Sequence, residues 1–532
     1  QGNGERASQE VEILIRNPNP YTTDIVEGSI ATQAEWDSQY QAIGVRGTNS
    51  TVLEVSTIPP LNLADRLRYL VRYPHGCIEQ TTSAAFPQLY VGQLMELNEK
   101  QQNEIRYNIS AAIDKLRNFQ NNDGGFSYWP GEGSASDWGT NYAGHFLVEA
   151  KQSGYSVSSL LIDRWVTFQR NAARRWNRAD EGTYGSQNSM VMQAYRLYTL
   201  ALAGKADLGA MNRLREMNNL SANAAWRLAA AYSQIGKPEV AQNLIQNLDT
   251  RIPDYVELSY TYGSGLRDRA MVLETLTLMG EQSKAARVAK SIAEQLGARR
   301  WYGTQTVAYS LMAMAKFVGK EDRNNQLKFA YQMGSGQWTE SSATTPMMQV
   351  ELPEAGGAIK VKNQSGGTLF CRLISRGQPL VGDQTATAND LKIAVRYRNL
   401  NGSDLDPSQI TQGTDFIAEV KVTNPGTRQR YYREMALAQV FPSGWEILNT
   451  RMSDVQRFQD SSRPTYQDIR DDRVYSYFNI GSRKSQTYRV QLNAAYQGRY
   501  YLPSLSCEAM YDHTISAREP GQWVEVVRPS DL

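Results

Sequence analysis

Histidine and cysteine are both scarce, at three of each in 532 residues. Cys77, Cys371 and Cys507 are too few for a disulfide scaffold or a four-cysteine zinc site. His75, His145 and His513 are too far apart in sequence to suggest a dedicated metal centre, and cysteine ligation of haem or iron–sulfur has no support. No cofactor and no metal are therefore expected. An excess of one charge is lacking too: Lys+Arg 56 against Asp+Glu 54 leaves +2, which favours neither nucleic acid nor an anionic membrane. No apolar run approaches the ~18–20 residues of a transmembrane helix. Gln1-Gly2-Asn3-Gly4 is not an initiator, a signal peptide or a lipobox, which reads as a processed or excised chain. What is present is a globular composition, 41% hydrophobic and 21% charged, long enough for three to four domains at ~150 residues each. Thirty tyrosines and ten tryptophans in a polar chain suggest an extracytoplasmic protein.

The periodicity changes twice along the chain. Val11–Arg16 and Thr51–Ser56 alternate as strands, and Pro59-Pro60 ends the first β region. Leu63, Leu67 and Leu70 then recur at helical spacing, as do Ile105, Ile109, Ile113 and Leu116. Further helical blocks are Gly144–Gln152, Met190–Ala203, Ala222–Ile235, Glu239–Leu248, Asp268–Met279, Ser283–Leu296 and Thr304–Phe317. Gly154, Gly204, Gly236, Gly280 and Gly319 fall near block ends, where left-handed C-caps are needed. Ala229–Ala241 looks locally like a tetratricopeptide hairpin, but the other hairpins keep no period, so helix pairs closing into an α/α toroid fit as well. Strand patterns return after about Gly336, and a second β block from Leu391 suggests an antiparallel sandwich. The expected fold class is multidomain α plus β. A β-domain (1–58 and 326–382) is interrupted by an all-α domain (59–325) and followed by a terminal β-sandwich (383–532).

One cluster carries chemistry: Tyr73-Pro74-His75-Gly76-Cys77-Ile78-Glu79-Gln80-Thr81-Thr82-Ser83. It lies between two helical blocks, where the dipole of a helix N-terminus would favour a thiolate at Cys77. A carboxamide three residues on can lie beside that sulfur. Acylation of the sulfur on the Gln80 side chain, with loss of ammonia, would give an internal thioester, an electrophile that must be kept dry. The plain alternative is a small buried cysteine.

The longer context resembles the bacterial alpha-2-macroglobulin family. The matching stretches run in order: Gly47–Ser56, Pro59–Leu63, Leu67–Leu70, Tyr73–Ser83, Asp123–Gly131, Arg267–Ala270, Thr304–Thr306, Ile469–Val474 and Glu508–Asp512. The resemblance covers essentially the whole chain and corresponds to that family's C-terminal third. It implies a protease trap of the bacterial periplasm or outer envelope, in which a cleaved bait segment triggers rearrangement and the thioester acylates a lysine of the protease. It also implies upstream macroglobulin domains absent from this chain and a lipid anchor as one option for the full protein. Such a trap turns over once and is not an enzyme.

On that resemblance Cys77 and Gln80 form the bond, and Glu79 either assists ammonia loss or is a solvated helix-start carboxylate. Tyr73 and His75 flank the bond, His75 standing where the family commonly has an aromatic. Met510 and Tyr511 resemble the family's lock over the thioester, against the alternative of an ordinary strand pair. His145 is a core or surface histidine by default. Trp176–Ser189 lacks the histidine that complement-type relatives use, which favours amines over hydroxyls. Cys371 and Cys507 are read as buried thiols in separate domains, with a disulfide as the alternative. Asp123-Gly124-Gly125 is read as a turn, and Asp468, Asp471 and Asp472 as a solvated turn without calcium-loop spacing. The competing functions are a thioester-bearing surface adhesin, an α/α-toroid carbohydrate-active enzyme and a scaffold without chemistry.

Overall fold

The computed structural model describes residues 19, 21–59, 61–72, 76–177, 186–258, 260–298, 301–320, 327–382, 384–448 and 461–528. The strand expected over Val11–Arg16 lies outside them. Among the described residues no helix is long and apolar enough to cross a membrane.

The helical region is a closed double ring. Ile78–Ala85, Asp137–Gln152, Ser186–Leu202, Ala222–Gln234, Gly265–Met279 and Thr304–Val318 pack each on the next, and the last packs on the first. Where their burial is described, these inner helices are covered on nearly all sides, as their continuous apolar and small residues require. The outer helices, among them Glu99–Arg117, Ser159–Arg175, Leu208–Arg215, Pro238–Ile245 and Gln282–Gly297, lean on the inner ones. They bury one stripe each, such as Ile109, Ala112, Ile113 and Leu116. Ser136, Asp207, Ser221 and Ser264 cap their helices through side-chain oxygens, and Asn98 forms a capping box with Gln101.

Several expectations change. The first long inner helix begins at Asp137, well before Gly144, and the Ser159–Arg175 and Leu208–Arg215 helices were not anticipated. Gly154, Gly204, Gly236 and Gly280 have positive φ, but Gly319 is right-handed at φ −64° and needs no special conformation. Strand structure resumes at Leu327–Met333, before Gly336.

Strands from both sides of the helical region pair with one another. Thr22–Ile30 and Ser50–Ser56 flank Leu369–Gly377 antiparallel, and Met347–Leu352 completes that sheet. Glu35–Tyr40, Gly357–Asn363, Leu327–Met333 and Thr339–Ala343 form a second sheet, and a shared core including Leu53, Val55, Phe329, Val361 and Leu373 lies between the two. Among the described residues the terminal domain has sheets of four, six and three strands. All pairings among them are antiparallel except Gln409–Thr411 with Gln522–Val527. Its six-stranded sheet contains the hairpin Leu505–Ala509/Asp512–Glu519, whose turn is Met510-Tyr511. That turn enters the core of the helical ring, so one apolar cluster runs from Cys77 and Ile78 through Met510 and Tyr511 to Met435 and Phe478.

Candidate functional site

Cys77 is the N-cap of the Ile78–Ala85 helix, extended at φ −64°, ψ 170°, and its sulfur makes no cap hydrogen bond. Gln80 stands at the third helical position, the one whose side chain reaches back to the N-cap in a capping box. The helix start is held from outside: the Ile78 amide donates to the Tyr128 carbonyl at 3.0 Å. Both Cys77 and Gln80 are buried.

Burial overrides the expected helix-dipole effect on the thiol. Desolvation, with the nearby Glu79 carboxylate adding to it, pushes Cys77 up to about 12. A free Cys77 is therefore a neutral thiol at neutral pH and not a stabilised thiolate. The Gln80 Nε2 donates to the Met510 sulfur at 3.4 Å, while Gln80 Oε1 is buried with no partner.

Glu79 is not the solvated carboxylate of the alternative reading. It is fully buried and accepts hydrogen bonds from Ser83 Oγ at 2.6 Å and from Thr304 Oγ1 at 3.0 and 2.9 Å. Burial raises it to about 7 against those hydrogen bonds. The starts of four inner helices surround it. Thr304 opens one of them, Ser264 caps another and bonds Thr306 at 2.7 Å, and Arg267 bonds Gln305 at 2.6 Å while lying 4.4 Å over the Trp138 ring.

Met510 and Tyr511 form the turn of a hairpin rather than a strand pair, and they cover the pair from the terminal domain. The Tyr511 hydroxyl lies 3.6 Å from Cys77 Sγ and 2.7 Å from the Tyr128 hydroxyl, and it faces the Glu79 carboxylate. Its ring packs on Tyr262 at 4.6 Å, and Tyr262 stacks on Tyr128 at 5.3 Å. Trp129 stacks on Tyr466 and packs tilted against Tyr477 of the terminal sheet, with ring centroids 4.4 Å from each. Near the Tyr128 hydroxyl stands Glu434, a bulge residue at φ 51° whose carbonyl accepts from the Met510 amide at 2.9 Å. Burial, then the like charge of Glu132, raises Glu434 to about 7.

The structure thus brings together Cys77, Glu79, Gln80, Met510 and Tyr511. Tyr73 and His75 lie outside the described residues, as does most of the 176–189 stretch. Sequence reasoning assigned no role to Tyr128, Tyr262, Thr304, Arg267 or Glu434. Tyr128, Arg267 and Thr304 stand inside stretches already noted for their resemblance; for Tyr262 and Glu434 no local signal exists.

His145 lies in the ring core, bonded to Tyr195 and Glu149 at 2.9 Å each. His145, Glu149 and Glu274 converge closely enough to hold a metal, but Lys316 Nζ already sits 2.5 Å from Glu149 and 2.7 Å from Glu274. Arg227 adds a 2.8 Å bond to Glu274. Burial opposes ionisation of both carboxylates. Lys316 nonetheless keeps both low, helped by His145 at Glu149, which falls to about 2, and by Arg227 at Glu274. His513 stacks on Trp301 and bonds Glu508 at 2.7 Å. Asp468 and Asp472 pair with Arg470 and Arg473, and Gly124 turns at φ 96° beside Asp123. Cys371 and Cys507 are buried free thiols in different sheets.

Two family models match the chain: the bacterial alpha-2-macroglobulin MG10 domain over residues 391–513 and the A-macroglobulin TED domain over residues 50–168. An alpha-2-macroglobulin of Escherichia coli is 25% identical over 92% of this chain and 31% of its own length. One of Xylella fastidiosa is 23% identical over 99% of this chain and 34% of its own. The chain thus spans about a third of the length of these curated relatives. A crystal structure of native Escherichia coli alpha-2-macroglobulin from domain MG7 to the C-terminus superposes with a TM-score of 0.77 at 22% identity, over 96% of this chain and 82% of that one. Salmonella alpha-2-macroglobulin reacted with methylamine superposes at 0.80 and 23% identity, over 96% of this chain and 34% of that one.

Proposed function

The chain belongs to the C-terminal portion of the bacterial alpha-2-macroglobulin family, and on that premise we propose that it carries the covalent warhead of a protease trap. In this reading Cys77 Sγ bonds to the Gln80 side-chain carbonyl carbon and the amide nitrogen leaves as ammonia. The protein holding this chain inhibits proteases in the periplasm or outer envelope. Cleavage of a bait segment withdraws Met510 and Tyr511, and a lysine of the protease attacks the exposed acyl carbon. The lysine nitrogen forms an amide at position 80 and its proton goes to the Cys77 sulfur. Each warhead acts once, so the protein is an inhibitor and not an enzyme.

The observation that carries this reading is the pair itself, covered on the side of the terminal domain. A cysteine without a cap partner and a glutamine with an unpartnered carbonyl stand at matched positions of one helix start, beneath a tyrosine from another domain. Glu79, raised to about 7, can hold a proton at neutral pH for the departing nitrogen. The carbohydrate-enzyme alternative needs a free acid–base pair in the ring. Glu149 and Glu274 are instead neutralised by Lys316 and Arg227 within a filled core.

Intact mass with and without methylamine, followed by peptide mapping over Cys77–Gln80, tests the proposal. The expected mass is lighter by one ammonia, and methylamine adds one equivalent and releases the Cys77 thiol. Cys77→Ala should abolish both changes. An unmodified mass with ordinary Cys77 and Gln80 would overturn the bond.

A further inference from the structure

Gln80 is covered by Met510 on the side of the terminal domain, but it also forms part of the wall of a separate cavity inside the helical domain. This cavity holds about 240 Å³, far above the ~15 Å³ that one water needs. It lies between the first helices of the ring. Its wall includes the buried Gln80 and Gln88, the half-buried Asn108, and Ala111 and Lys115, which are exposed. Among the described residues none of the terminal domain lines it. The Gln80 carbonyl oxygen, buried and without a donor, is the second sign of a site built for something absent. The other amides in the wall are already committed, Asn108 to Gln88 and Gln88 to the Ala84 carbonyl.

We infer that this cavity is a back door to the acyl carbon of Gln80, through which small primary amines react while Met510 and Tyr511 stay in place. The inference rests on the thioester reading above. An amine enters past Ala111, its nitrogen forms an amide bond with the carbonyl carbon of residue 80, the carbon–sulfur bond breaks, and the amine's proton is taken up by Cys77 sulfur. Nothing is oxidised or reduced. The route admits a methylamine-sized nucleophile and excludes the backbone of a protein, so the lysine of a folded target has only the covered face. Small amines would therefore discharge the warhead without moving the lock.

The test uses the full chain and reads the rate of methylamine-dependent thiol release at Cys77. It starts from protein whose untreated mass is already lighter by one ammonia; an ordinary mass in the untreated protein would overturn the thioester reading and this one with it. Ala111→Trp puts an indole across the rim at an exposed helical position, where folding is least at risk. Asn108→Phe narrows the same passage and serves if the first variant does not fold. The rate should fall at least about tenfold in either variant, the equivalent of ~1.4 kcal/mol on the barrier. An unchanged rate in the narrowed variants that carry the bond would show that methylamine enters elsewhere and would overturn the proposal.

Discussion

Tyr511 is held by several groups at once: its hydroxyl by Tyr128 and the Cys77 sulfur, its ring by Tyr262. The ring and the hydroxyl therefore do separable work, and two substitutions separate them. Tyr511→Phe keeps the ring in place and leaves the buried Tyr128 hydroxyl short of a partner, which costs ~1–3 kcal/mol of stability. The Cys77–Gln80 bond should survive in that variant. Tyr511→Gly removes the cover and should yield protein with a free thiol at Cys77 and glutamate at position 80, both read by peptide mapping. An intact bond in the glycine variant would mean that the tyrosine is not what excludes water. At this scale the sequence was legible where the geometry is local. Cys77 and Gln80 meet because the N-cap and third positions of a helix always face each other. The pH behaviour of Cys77 was not legible, because burial by residues hundreds of positions away reverses what the helix terminus alone would do. Nor was Glu434, which enters the site only because a bulge in its strand turns it towards Tyr128.

The ring core and the sheet–ring contact hold ionisable groups in two opposite ways, and their pH dependences should differ in sign. In the ring core, Glu149 and Glu274 are lowered by Lys316, so their contribution is present above the ordinary carboxylate pKa of 4.5 and lost only as pH falls through their lowered values, about 2 for Glu149. Lys316→Met leaves two buried carboxylates with less compensation and should cost ~3–5 kcal/mol in denaturant unfolding. A loss under about 1 kcal/mol would show that Arg227 and the tyrosines suffice. At the sheet–ring contact the sign reverses. Glu79 and Glu434 are raised from 4.5 to about 7, so the folded state binds their protons more tightly. Their contribution is full below pH 4.5 and is lost as pH rises through about 7, at up to ~1.4 kcal/mol per pH unit per group. The groups facing Glu434 are Tyr128, Glu132, Arg433 and, further off, Tyr262 and Tyr511. Glu434→Gln keeps a polar group near Tyr128 and removes the titration, so the difference in Tm between pH 5 and pH 8 should shrink. Helix positions were legible in some helices with one apolar stripe, as in Glu99–Arg117, but not in Ser159–Arg175, whose stripe holds Leu161, Ile162, Trp165 and Val166. The start of Asp137–Gln152 was missed because its first turns are polar and glycine-containing yet fully buried by tertiary packing.

The whole molecule is arranged so that the covering hairpin belongs to a different domain from the helix it covers. The change from helical to alternating periodicity marked the helical region off from the strands on either side of it. How they sit was not visible, because register between Thr22–Ile30 and Leu369–Gly377, or contact between Tyr511 and Cys77, depends on partners more than three hundred residues apart. This separation has a testable consequence. The helical ring closes on itself and the split β-domain pairs its own strands, so neither depends on the terminal sandwich for its sheet or ring contacts. A chain ending at residue 382 should therefore keep its helical circular dichroism. It should still lose the bond, because Met510 and Tyr511 are gone and the Cys77–Gln80 face is open to water. Mass analysis should then find glutamate at position 80, formed by hydrolysis after ammonia was lost. Unreacted glutamine in a well-folded truncation would carry a different meaning: the terminal domain would be needed to make the bond as well as to guard it, with the stack of Tyr128, Tyr262 and Tyr511 holding the sulfur against the carboxamide. A bond that persists in the truncated chain would place the barrier to water within the helical ring itself, and the cavity behind Gln80 would then be the controlling route to it.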